Sequence, residues 1–198
     1  LSAAWYLRKH GYANFQLFEL EDKTGGNSIS GENRLGKYPW GAHYLPTPGE
    51  NAHYVKELLE EVGALKNGKY DERYLVHEVE ERLFIYGIWQ AGLKPLMGAR
   101  AEERREFEYF KDLIVSYMHA KGRDGKSAFT IPVSKSSRDP KFLAFDRMLA
   151  SEFLASHNLK SRRFLWYIDY CLRDEFGSNH TNTSAWALLH YFASREHA

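Results

Sequence analysis

Glu19 closes a short apolar and aromatic run, Asn14-Phe15-Gln16-Leu17-Phe18-Glu19-Leu20, and the polar loop Glu21-Asp22-Lys23-Thr24-Gly25-Gly26-Asn27-Ser28 follows at once. A carboxylate at the tip of a strand can accept hydrogen bonds from ribose hydroxyls, and paired glycines let the backbone approach a ligand where a Cβ would block it. Such an acid belongs roughly 20 residues beyond a glycine-rich turn that feeds a helix N-terminus holding a pyrophosphate. Glu19 has that place if such a turn ends just before Leu1. A plainer reading stays open, in which Glu19 ends a strand at the surface and binds nothing.

The elements that would position these residues follow from hydrophobic spacing. Ala3, Ala4 and Leu7 recur at helical intervals before Arg8-Lys9-His10 and the stop at Gly11, so a helix is expected up to His10 and a buried strand over residues 14–20. Helix, turn and strand in that order make half of a βαβ unit. An irregular Pro-bearing stretch, Tyr38-Pro39-Trp40-Gly41-Ala42-His43-Tyr44-Leu45-Pro46, follows, and then Val55, Leu58, Leu59 and Val62 mark an amphipathic helix over residues 52–62. Residues 74–89 are β-branched and aromatic around a charged centre, which predicts antiparallel strands, and residues 101–120 form the clearest long helix. Further helices are expected near 145–156, 161–172 and 184–194.

Composition bounds the function classes. In 198 residues, 43% hydrophobic and 15% aromatic content is enough for a folded core, which argues against disorder. A formal net charge of +1 provides no field favouring nucleic acid, and no apolar run is long enough to span a bilayer, so the expected partner is a small-molecule substrate, with no nucleic acid and no transmembrane segment. Cys171 is the single cysteine, which rules out an internal disulfide and a cysteine zinc cluster. No metal site is expected. His180 and His190 are a weak zinc pair, Cys171 reads as a buried small hydrophobe, and the charge run from Glu102 to Arg105 reads as a solvated helix face. The chain opens without Met, on what reads as the interior of a helix, which predicts a truncated sequence and leaves compartment and oligomeric state undetermined.

Leu1-Ser2-Ala3-Ala4-Trp5-Tyr6-Leu7, with Leu17-Phe18-Glu19-Leu20-Glu21-Asp22-Lys23-Thr24-Gly25-Gly26-Asn27, resembles the FAD-binding start of amine oxidase and phytoene desaturase-like flavoproteins. Tyr38-Pro39-Trp40-Gly41-Ala42-His43-Tyr44 is similar to the segment in which that family passes a small pair beside the flavin ring. Together the matches cover about the first quarter of the chain. Trp166-Tyr167-Ile168-Asp169-Tyr170-Cys171-Leu172-Arg173-Asp174-Glu175-Phe176-Gly177, with Ser184-Ala185-Trp186-Ala187 and His190-Tyr191-Phe192-Ala193-Ser194-Arg195, also resembles a bacterial subgroup of these FAD-dependent oxidoreductases, with no role attached to those residues.

The resemblance implies FAD as cofactor, with Glu19 on the adenosine ribose, Lys23 as the loop's basic residue, and Gly25 and Gly26 at the diphosphate or ribityl chain. Asn27 departs from the arginine common at that place and cannot neutralise phosphate. Gly41 and Ala42 would line the flavin, Tyr44 would face substrate, and His43 is the candidate catalytic residue from position alone. The implied fold class is α/β with α+β: a partial Rossmann-like FAD-binding domain over residues 1–49, then a partial substrate-binding α+β domain over residues 50–198, mainly helical with an antiparallel hairpin. The implied activity is an FAD-dependent oxidoreductase, amine oxidase-like, its flavin accepting a hydride from an amine or a C–H bond. The truncated chain by itself is expected to be inactive and to bind FAD weakly. Two alternatives remain: a non-redox or desaturase-type flavoenzyme on the same fold, and a non-catalytic binding module with a vestigial dinucleotide fold.

Overall fold

A computed structural model of the chain describes residues 1–42, 44–77 and 81–195, and divides it into two units, Leu1–Thr47 and Pro48–Ala198. The described residues form a mixed α/β protein with seven α-helices and three separate antiparallel hairpins.

In the first unit the expected opening helix is α1 (Ser2–Lys9), ended by Gly11 at a φ of +83°. The expected strand over residues 14–20 is not formed. Leu17, Phe18 and Leu20 are exposed at 53%, 85% and 97%, and α1 has no buried residue. A strand is stable only against a neighbour that takes its backbone hydrogen bonds and covers its apolar face, and among the described residues no strand pairs with this segment. The half βαβ unit is therefore represented by its helix alone. A hairpin not expected from the sequence follows, β1 (Ser30–Asn33) with β2 (Gly36–Pro39), in which the Tyr38 ring covers Gly31 across the strands.

The second unit begins with α2 (His53–Glu61), close to its expected bounds. Two hairpins follow: β3 (Leu65–Lys66) with β4 (Lys69–Tyr70), and β5 (Arg82–Ile85) with β6 (Ile88–Ala91). Each turns through two residues of positive φ, Asn67-Gly68 and Tyr86-Gly87, as the right-handed twist of a two-residue hairpin requires. The expected antiparallel strands over residues 74–89 are thus realised as 82–91. Residues 72–74 form a single 3-10 turn, and residues 78–80 lie outside the described set.

The core lies among the helices α3 (Ala101–Met118), α4 (Pro140–Leu143), α5 (Ala150–Ser156), α6 (Arg162–Phe176) and α7 (Ala185–Ala193). Phe107, Phe110 and Ile114 recur every three or four residues on α3, so they share one face and bury it. Phe110 meets Phe164 of α6 edge to face at 5.2 Å and Phe192 of α7 at 5.1 Å. Polar ties fix the same pairings. Glu106 of α3 accepts hydrogen bonds from the backbone N–H groups of Lys160 and Ser161, placing a carboxylate at the N-terminus of α6 where the helix dipole favours it. Ser161 caps that helix through the N–H of Phe164, and Gly177 ends it in the left-handed region. The hairpin tip is held on α6 by Arg163, whose guanidinium donates to the Tyr86 hydroxyl at 2.8 Å.

His190 of α7 stacks on Trp186 at 4.9 Å, and its Nε2 bonds the carbonyl of Thr130 at 3.0 Å, which makes Nε2 the protonated nitrogen of a neutral ring. Burial pushes its pKa below the usual histidine value. Asp139, buried at the start of α4, is held below the carboxylate range by hydrogen bonds from the N–H groups of Arg123 and Lys141.

Two outcomes follow for stability. Phe164, fully buried against Phe107 and Phe110, leaves a large void when shortened, so Phe164→Ala should lower the unfolding free energy by about 3–5 kcal/mol in a denaturant titration. Because folding depresses the His190 pKa, the unfolded chain takes up its proton first, and stability falls as pH drops below the ordinary histidine value of 6.5. Asp139 acts in the same direction only in the acid range below the ordinary aspartate value of 3.8. Replacing His190 by Phe should therefore flatten the stability curve just below pH 6.5 and leave the acid limb in place.

Candidate functional site

The predicted cofactor residues lie in the loop after the exposed apolar run and in the segment after β2. Glu19 is exposed, and its Oε1 accepts the backbone N–H groups of Leu20 at 2.8 Å and Glu21 at 3.2 Å. These bonds orient the carboxylate and leave Oε2 without a partner among the described residues. Beyond it the chain turns through Gly25 at a φ of +133° and Gly26 at +51°, conformations that L side chains rarely adopt. A Cβ on Gly25 would lie 2.9 Å from the Ile29 side chain, whereas the space beside Gly26 is open. A 3-10 turn over Gly26–Ser28 then leads into β1.

Three predicted residues, Lys23, Gly26 and Asn27, share the wall of a cavity of about 570 Å³ with Glu21, Asp22, Ile29 and Trp40. Two carboxylates against one ammonium make this wall acidic on balance. It suits hydroxyl donors better than phosphate oxygens, because a phosphate would be repelled unless cations outnumbered acids.

Asn27, Gly41 and Ala42 are brought together. The Ala42 N–H donates to the Asn27 carbonyl at 2.8 Å, and a methyl group on Gly41 would collide with the Asn27 amide and carbonyl oxygens. Asn27 therefore ties the glycine loop to the segment after β2, and the absence of a side chain at 41 is what allows it. Ala42 and Tyr44 are exposed. His43 lies outside the described residues, and Glu19 and Gly25 do not line the cavity.

Other chemistry-bearing residues lie in the second unit. Asp169 of α6 accepts both the backbone N–H of His180 at 2.9 Å and its ring Nδ1 at 2.6 Å. No local sequence pattern marks this pair, since the loop after α6 folds back to make it. Among the described residues no hydroxyl or thiol bonds the outer nitrogen of His180, so the pair fastens that loop to α6. Cys171 is buried beside Tyr167 and Tyr191, and burial pushes its thiol up, which makes it a poor nucleophile. No group of three or more His, Cys, Asp or Glu residues among the described set could hold a metal ion, and no described helix is long and apolar enough to cross a membrane.

Residues 1–62, which run from α1 through α2, match the family of NAD(P)-binding Rossmann-like domains. Domains of this family hold dinucleotide cofactors, FAD or NAD(P), and occur in FAD-dependent oxidoreductases such as amine oxidases. No curated protein and no solved structure matches the chain. A Rossmann-like nucleotide-binding domain is therefore indicated in the N-terminal region, and an oxidoreductase is the kind of protein to which it points.

The Asn27–Gly41 approach can be tested directly. Gly41→Ala should force the two segments apart and speed tryptic cleavage after Lys23 several-fold, with cuts in the second unit unchanged. An unchanged rate would show that the loop does not depend on this contact.

Proposed function

We propose that the chain is part of an FAD-dependent oxidoreductase of the amine oxidase-like type, acting on an amine or an activated C–H bond. The observation that carries this reading is the match of residues 1–62 to a dinucleotide-binding domain, combined with the order in which an acid, a basic residue and two glycines follow one another at Glu19, Lys23, Gly25 and Gly26. Bound flavin would supply the two-electron acceptor for hydride.

The residues present fit the sugar of such a cofactor. Glu19 Oε2 is open to a ribose hydroxyl, and the bare backbone at Gly26 admits an atom that a Cβ would exclude. They fit a diphosphate less well, because Glu21 and Asp22 offset Lys23 and Asn27 brings no charge. Ala42 is the residue assigned to the flavin ring, since the open side of Gly41 is already taken by Asn27. Tyr44 is assigned to the substrate side, and His43, from its place in the sequence, is the candidate to hold or move a proton. The substrate-binding part is assigned to residues 50–198.

Titration of the intact protein with FAD, and separately with NADPH, tests the assignment. FAD should bind, and Glu19→Gln should weaken it roughly tenfold, the effect of removing a charged acceptor from one hydrogen bond. Binding of NADPH alone would overturn the flavin assignment, and binding of neither would overturn the oxidoreductase reading.

A further inference from the structure

A second cavity lies wholly within the second unit, where β6, the segment following it, α3 and α6 meet. Its volume is about 490 Å³, within the range of roughly 300–1,000 Å³ typical of small-molecule sites. The segment over residues 92–99 that forms one wall has no helix or strand and only three backbone–backbone hydrogen bonds are made by its N–H groups, from Gly92, Leu96 and Ala99, so other backbone groups depend on side chains or water. Three side chains supply them. Gln90 donates to the carbonyls of Gly92 and Lys94 at 3.3 and 2.5 Å and accepts the N–H of Met97 at 3.2 Å. Arg104 of α3 donates to the carbonyls of Leu96 and Ala99 at 2.6 and 3.3 Å, and Arg163 of α6 donates to that of Pro95 at 2.9 Å. The wall is thus held from three different elements, which makes the concavity preformed.

Once these bonds are made, the functional groups around the cavity are few. Gln90 is spent on the backbone. Arg104 keeps its full charge although two of its N–H groups are used, and the Lys94 ammonium has no acceptor among the described residues. Among the described residues, Glu81 is the one carboxylate on the wall. Among the described residues of the wall, two cations against one anion give a local excess of positive charge, the reverse of the acidic cavity in the first unit. Leu93, Leu96 and Met97 provide the apolar area, and Tyr167 is kept a neutral phenol because burial pushes its pKa up.

We infer that this cavity binds a small amphipathic carboxylate, its anionic group between Lys94 and Arg104 and its hydrocarbon body against Leu96 and Met97. The carboxylate gains two charged partners, one of them already oriented by its bonds to the loop, and the body is removed from water on the apolar side. The site requires no dinucleotide, so it stands or falls separately from the cofactor assignment.

Isothermal titration of the intact protein with 1-naphthoate, its methyl ester and 1-naphthylmethylamine tests the inference, since the three share a ring system and differ in charge. The acid should bind with a dissociation constant below about 1 mM, and the ester and amine at least tenfold more weakly. Lys94→Gln, at a partly exposed position in no helix or strand, should lower affinity for the acid about tenfold and leave the ester unchanged. Met97→Glu should abolish binding of the acid, with circular dichroism confirming the fold. Absence of acid binding, equal binding of the three compounds, or acid binding that Lys94→Gln leaves unaltered would each overturn the assignment.

Discussion

Apolar surface has to be removed from water, and the two units of this chain meet that demand very differently. In the second, phenylalanines of α3, α5 and α6 close on α7, whose Leu188 and Leu189 are fully buried. Everything that unit offers chemically rests on this helical core: Arg104 and Arg163, which hold the loop after β6, project from α3 and α6 themselves. In the first unit Leu17, Phe18 and Leu20 remain in solvent, and order comes instead from glycine turns, one short hairpin and the contact between Asn27 and Gly41.

That difference bears on function. A dinucleotide-binding element built on a sheet uses the sheet to fix its acid and its glycine loop, and a ligand that bridges them adds further order. Here the acid and the loop are oriented by local bonds: Glu19 through the N–H groups that follow it, and the loop through Asn27. Such devices hold short-range geometry with little burial, so this unit has little packing of its own to resist opening. The cavity beneath the β6 segment is the opposite case, a concavity whose irregular wall is fastened to rigid helices.

The helices were legible because their signal is periodic. Phe107, Phe110 and Ile114 on α3, and Phe164, Ile168, Cys171 and Leu172 on α6, recur at the spacing that a buried helical face demands, and capping residues mark the ends. The apolar run over residues 14–20 has the local pattern of a strand and does not form one, because a strand depends on a partner that local sequence does not specify. The hairpin β1–β2 is silent in the sequence for a related reason. Ser30-Gly31-Glu32-Asn33 has no strand-forming pattern, and it pairs because Tyr38 covers the glycine opposite. The helix expected from residue 145 begins only at Ala150, since Ala144–Arg147 form a 3-10 turn and Met148 and Leu149 are extended. In the candidate site, the glycine loop could be read from composition. The approach of Asn27 to Gly41 and the pairing of Asp169 with His180 could not, because each joins segments that are distant along the chain.

The first unit is proposed as a dinucleotide-binding element, and amide hydrogen exchange reads ligand contact with its glycine loop residue by residue. In the intact protein, saturating FAD should slow exchange over residues 14–28 while the amides of α3, α6 and α7 exchange as before. Unchanged exchange over residues 14–28 in the presence of FAD would contradict the account.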